Sequence, residues 1–194
     1  GVRVAESRSA ELVDWRIGVG AGRAGGSDSA AHEAALYPGL TTAAVAGGLD
    51  HVYPPEDAKL QAGIAERGCV VTEAPLGTIP QARHFPRRNR LIAGISLGCV
   101  VVEAALHSGT LITASLALSY DREVYAVPGS PLDPRSRGGN DLLRHGATLT
   151  ENVQDILSCL PSELPAPLLP PWMQSWQSTA LFQGFSEPYA AWGM

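Results

Sequence analysis

The chain has 194 residues and a mass of 20.3 kDa; it is 45% hydrophobic and 17% charged, with a formal net charge of −5. This length and composition fit one domain with its own apolar core and exclude a wholly disordered chain. The acidic balance does not advertise a nucleic-acid binder, although a local basic patch is enough to make one.

Residues 1–40 are rich in Gly, Ala and Ser. Within them GVGAGRAGGSDSAAHEAAL sets a glycine-rich turn, with Gly25 beside Gly26, ahead of the helical pattern SAAHEAAL. Glycines let backbone N–H groups approach an anion closely, and the helix N-terminus adds its dipole. The signal is weak alone, because turns before helices are commonly glycine-rich. From Thr41 the pattern becomes regular. TTAAVA reads as a strand ending at Gly47-Gly48, PPEDAKLQAGIAERG as a helix with proline and acids at its start, and CVVTEA as the next strand. After an arginine cluster come the strand GCVVVEA, the helix HSGTLITASLALSY and the strand REVYAVPG. NDLLRHG is expected to be a short helix capped by Asn140 and closed by Gly146, and ENVQDILSCL one more helix. Strands alternating with helices imply an α/β fold: a Rossmann-like, mostly parallel sheet with helices on both faces, over residues 1–160. Such sheets bind ligands beyond the carboxyl ends of their strands. Residues 161–194 carry Pro161, Pro165, Pro167, Pro170 and Pro171, then Trp172, Trp176 and Trp192; they read as a linker and a tail.

HFPRRNRLIAGIS holds three arginines in four residues, Arg87, Arg88 and Arg90 around Asn89, just behind Phe85. The stretch is expected to be a loop entering the helix-like LIAGIS. Guanidinium forks match phosphate oxygens in pairs, and an aromatic ring stacks on an unpaired base. The structural alternative is a solvated loop, or pairing with acids of the fold such as Glu73 and Glu103. HSGT places Ser108, Gly109 and Thr110 at a helix start, as an anion nest or as an ordinary N-cap. Catalytic constellations are absent. Ser108 has no GxSxG context, and Lys59, the only lysine, follows no glycine loop. The five histidines lack metal-ligand spacing, and Cys69, Cys99 and Cys159 form no CxxC pair, so neither metal, cofactor nor disulfide is expected. No apolar run reaches membrane-spanning length and no signal peptide is visible, so a cytoplasmic location is expected.

HFPRRNRLIAGIS, CVVVEAALHSGTLITASLAL, REVYAVPGS and RGGNDLLRHGATL, in that order, resemble the DNA-processing protein A (DprA/Smf) family. AVAGGLDHVYPPEDAKLQAGIAERGCVVTEAP resembles that family's preceding segment, and GAGRAGGSDSAAH keeps the glycines, Asp28 and His32 of its SGxAxGIDxxAH motif. VAESRSA resembles the family's GSR turn with Glu6 in place of glycine, which carries over Arg8. The stretch between Arg8 and Gly25 is short for the family's first helix and second strand, and no winged helix is recognisable beyond Leu160. The resemblance implies an extended Rossmann-like fold, cooperative binding of single-stranded DNA, and help in loading a RecA-type recombinase during natural transformation. It implies no catalytic turnover, and a homodimer is the expected assembly. The phosphate-binding set would be Arg8, Gly25, Gly26, Arg87, Arg88, Asn89, Arg90, Ser108, Gly109 and Thr110, with Phe85 against a base. The alternative is an enzyme on nucleotide monophosphates, of the LOG-like phosphoribohydrolase type. Against it, HSGTLITA has Gly109-Thr110 but neither the preceding PGG nor the following glutamate of that signature.

Overall fold

The alternation of short apolar runs with longer amphipathic ones is realised as parallel β-α units, in a computed structural model that describes residues 1–22 and 25–161. Beyond Pro161, the linker and tail lie outside the described residues. In chain order the helices and strands are α1 (Val2–Asp14), β1 (Val19–Ala21), α2 (Ser27–Leu36), β2 (Thr41–Ala44), α3 (Ala58–Arg67), β3 (Cys69–Val71) and α4 (His84–Ile95). Then follow β4 (Gly98–Val101), α5 (Gly109–Ser119), β5 (Glu123–Ala126), α6 (Arg137–Arg144), β6 (Thr148–Leu149) and α7 (Val153–Leu157). Single 3₁₀ turns at Pro55–Asp57 and Pro134–Ser136 lead into α3 and α6.

Every strand pairing is parallel, but the strands divide into two sheets, ordered β1-β2-β3 and β4-β5-β6. The middle strands β2 and β5 are the most deeply buried, whereas β1 and most of β4 are half-buried. Two helices tie the sheets together by side chains. On α1, Leu12 packs with Tyr125, Val153 and Ile156 beside the second sheet, while its neighbour Val13 packs with Ala35, Leu40 and Val19 beside the first. On α4, Ala93 joins the cluster of Val101, Ala114, Ala117 and Val124. Val124 and Tyr125 are adjacent in β5 yet belong to different clusters, as the alternation of side chains along a strand requires.

Three local expectations are corrected. The stretch VAESRSA is not a turn; it lies inside α1, where Glu6 is exposed and Arg8 bonds to the Glu11 carboxylate and, at 2.9 Å, to the Glu151 carbonyl. Its buried face is Ala5, Ser9, Leu12 and Val13, the spacing of a helix. The arginine cluster is not a loop either: HFPRRNR is the first half of α4, with Pro86 in the first turn, where its missing N–H costs nothing. Asn140 does not cap α6, which begins at Arg137. From inside that helix its side chain accepts from the Gly129 N–H at 3.1 Å and donates to the Gly129 carbonyl at 2.9 Å.

Candidate nucleic-acid interface

One helical turn sorts the arginine cluster. At about 100° per residue, Arg87 and Arg90 fall within roughly 60° of each other, while Arg88 and Asn89 point the other way. Arg88 and Asn89 are accordingly buried, and Arg87 and Arg90 are exposed. Arg88 donates through Nη1 to the carbonyl of Ala44 at the end of β2, and its guanidinium carbon lies 5.8 Å from the centre of the Phe85 ring. Burial pushes the Arg88 pKa below the ordinary arginine value, with the charge of Asp28 pulling in the opposite direction. Asn89 donates to the Gly109 carbonyl at 3.2 Å. Neighbouring residues of α4 thus grip the carboxyl ends of both sheets, Arg88 the first and Asn89 the start of α5. Arg90 pairs with Glu73 just after β3. Arg87 pairs with no acid among the described residues.

Around this helix lie two receptive edges. At the first sheet, Gly25 and Gly26 adopt left-handed φ angles of 78° and 61° and open α2 with Asp28 in its first turn. Close by, Gly22 passes so near the Arg88 guanidinium that a Cβ there would lie 2.5 Å from Nη1. Its carbonyl is 2.7 Å from Nε2 of the fully buried His32, whose Nδ1 is 2.7 Å from the Thr41 hydroxyl. At the second sheet, Ser108 is the N-cap of α5: its hydroxyl oxygen accepts from the Thr110 N–H at 3.2 Å and lies 3.1 Å from the Thr110 hydroxyl. The capping reading of HSGT is therefore realised, and exposed Gly109 leaves the helix start open on its outer side. Beside it an open pocket of about 610 Å3 is lined by Glu103, His107, Ser108, Arg135 and Arg137, among others.

The structure places Phe85, Arg87, Arg88, Asn89 and Arg90 on α4, where Arg88 reaches Gly22 and Ala44 and Asn89 reaches Gly109, while Arg87 and Arg90 lie on the exposed face. It does not bring Arg8 into that group, since the hydrogen bonds of Arg8 go to Glu11 and Glu151. The carboxylates expected to anchor an arginine divide differently than anticipated. Glu73 takes Arg90, Glu103 lies 3.5 Å from Arg135, and the buried Arg88 is held by a backbone carbonyl. Sequence reasoning missed Arg135 and Arg137, whose signal was a pair of arginines in the turn PLDPRSRGG after a strand. It also missed His32 as an anchor and Tyr53 as the neighbour of Phe85, with ring centres 5.6 Å apart and planes at 64°.

The reactive alternatives are quiet. Burial raises the Cys99 thiol to about 11, so it stays protonated at neutral pH and is a poor nucleophile. Among the described residues no group of three or more His, Cys, Asp or Glu side chains could hold a metal ion. Nor is any helix among them long and apolar enough to cross a membrane.

A family model described as DNA recombination-mediator protein A matches residues 1–161. The chain belongs to this family. Protein Smf of Escherichia coli K12 is 44% identical over 146 residues, covering 74% of this chain and 39% of that protein. DNA processing protein DprA of Streptococcus pneumoniae R6 is 46% identical over 138 residues, 71% of this chain and 49% of that one. The chain therefore spans less than half the length of these relatives. The X-ray structure of DNA processing protein A from Streptococcus pneumoniae superposes with a TM-score of 0.74 at 37% identity, covering 83% of this chain and 58% of that one. A second structure describes the single-stranded DNA binding mode of DNA processing protein A from Helicobacter pylori. It gives a TM-score of 0.74 at 29% identity, covering 80% of this chain and 71% of that one. The α/β architecture of parallel strands and flanking helices is thus the recombination-mediator fold.

Proposed function

We propose that this chain binds single-stranded DNA as part of a recombination mediator and performs no catalytic turnover. The observation that carries this reading is the placement of α4. Its buried face reaches Gly22 at the first sheet through Arg88 and Gly109 at the start of α5 through Asn89, its opposite face exposes Arg87, and Phe85 meets Tyr53 edge-to-face. Guanidinium and backbone N–H groups suit phosphates, and an aromatic corner suits unpaired bases, which duplex DNA keeps stacked inside. The Helicobacter pylori relative, whose structure describes single-stranded DNA binding, supports the same ligand. Against the phosphoribohydrolase alternative, α5 carries no glutamate after Thr110, and Glu103, at the end of the strand before α5, is within ion-pair distance of Arg135. A RecA-type recombinase and a second copy of the chain are the proposed partners, on the strength of family membership. Arg88 and Asn89 act in this reading by positioning α4, and Arg8 by fastening α1 near Glu151.

Fluorescence anisotropy with an oligo-dT strand and a matched duplex, over a salt series, tests the proposal. The single strand is expected to bind tighter, with affinity falling as salt rises; equal binding of both, or no salt dependence, refutes it. In the same assay Arg87→Ala is expected to weaken binding and flatten the salt slope by about one unit, the loss of one phosphate contact. Arg90→Ala serves as comparison. It breaks an exposed ion pair worth about 0–1 kcal/mol and should leave the melting temperature nearly unchanged. If Arg87→Ala binds like the unaltered chain at every salt concentration, α4 is not the phosphate contact.

A further inference from the structure

No ladder joins β1 to β4, yet the same two helices cover both strands. On one face is α1: its Leu12 packs in the cluster that holds Val100 of β4, and its Val13 packs with Val19 of β1. On the other face is α4. Its Ala93 packs with Val101 of β4, and the Ser96 hydroxyl at its end lies 3.6 Å from where a Cβ on Gly20 of β1 would stand. Neighbouring strands of one layer pair at about 4.8 Å. Strands that share both covering helices and do not pair stand further apart, with a gap between their edges.

Both strands turn backbone groups into that gap. Successive residues of a parallel strand direct their N–H and C=O groups to alternate neighbours. The Val19 N–H donates to the Leu40 carbonyl at 2.9 Å, so the N–H and C=O of Gly20 face away from β2. The Val101 carbonyl accepts from the Val127 N–H at 3.0 Å, so the N–H and C=O of Val100 face away from β5. Gly20 and Val100 are half-buried, where unpaired backbone is costly.

The described chain ends at the mouth of this gap. Leu160 packs in the same cluster as Val100 and Ile17, which lies two residues before β1. A segment returning from there enters at the amino ends of the strands, the direction a parallel partner needs. Residues 161–178 span far more than the length of a short strand. Residues 179–182, TALF, follow: a β-branched residue and three apolar ones without proline or charge, as suits a parallel strand covered on both faces. YAAW at residues 189–192 suits it less, because its Tyr and Trp rings carry O–H and N–H groups that need polar partners when buried.

We infer that TALF, residues 179–182, inserts between β1 and β4 as a further parallel strand, bonding to Gly20 on one side and Val100 on the other. Each three-stranded ladder is complete without it, so the insertion disturbs no existing pairing. It is also independent of DNA binding.

Hydrogen exchange of single amides, followed by NMR on the full chain without DNA, tests this. In the unaltered chain the Gly20 and Val100 amides exchange as slowly as those of Ala43 and Tyr125 inside the two ladders. Leu181→Pro speeds Gly20 and Val100 at least about tenfold and leaves Ala43 and Tyr125 unchanged. Tyr189→Pro changes none of the four. Fast exchange at Gly20 and Val100 in the unaltered chain overturns the insertion, as does slow exchange that survives Leu181→Pro. Protection that is lost on dilution assigns the strand to a second copy and equally overturns it.

Discussion

Arg88→Ala is expected to destabilise the protein by about 2–4 kcal/mol, lowering the melting temperature by about 5–15 °C. The side chain is only 6% exposed, so its removal empties space beneath α4. It also leaves the Ala44 carbonyl without its donor at the end of the buried strand β2. An orphaned buried acceptor costs about 1–3 kcal/mol, and lost packing of the arginine stem supplies the rest. Part of the gain is offset in the native protein, because Arg88 Nε is itself buried without a hydrogen bond among the described residues. Arg88→Met restores the volume without the donor and should recover only part of the loss. Since α4 also carries Arg87, DNA affinity should fall together with stability. A variant that melts like the unaltered chain while losing affinity would mean that Arg88 swings out to meet the ligand.

His32→Ala should cost more, about 3–5 kcal/mol, read from the denaturant midpoint and the melting temperature. The imidazole is fully buried and joins three elements of the first half: α2, which carries it, the Gly22 carbonyl after β1, and the Thr41 hydroxyl at the start of β2. A carbonyl only accepts, so Nε2 bears a proton donated to Gly22, while Nδ1 lies 2.7 Å from the Thr41 hydroxyl, which also donates to the Val19 carbonyl at 3.4 Å. Alanine leaves a cavity, removes the ring's bond to the Gly22 carbonyl and leaves the Thr41 hydroxyl with its longer bond to the Val19 carbonyl. Displacing the Gly22 carbonyl also disturbs the segment that leads to the Gly25-Gly26 turn, so binding should weaken beyond what melting alone explains. A loss under about 1 kcal/mol would show that water or a neighbour readily replaces the ring.

Most elements from Thr41 to Leu157 were legible because apolar strands and amphipathic helices alternate there with clear glycine and proline punctuation; β6, only two residues long, was not. α1 was not: its buried face includes Ala5 and Ser9, residues too small to write a strong apolar stripe. In the arginine cluster, Pro86 and three charges suggested a loop, although a proline in the first turn is compatible with a helix. The different fates of Arg87 and Arg88 could not be read from residue type; they follow from the turn of the helix and from what lies behind it. Nor does β-α alternation say which strands share hydrogen bonds, so the division into two sheets was invisible. Residue type did mark Glu73 as an arginine partner, and Ser108 as a cap.

That division has a consequence for how the molecule comes apart. No backbone hydrogen bond between strands joins the two sheets among the described residues; side chains, including those on α1 and α4 and Ile17 before β1, link them. Opening one half therefore breaks none of the other's strand ladder, and two melting transitions rather than one are the expected outcome. A DNA strand lying along α4 and touching both halves would stitch those units together. Ligand binding would then make a segmented unfolding concerted, and part of the apparent affinity would depend on how often the two halves are already aligned.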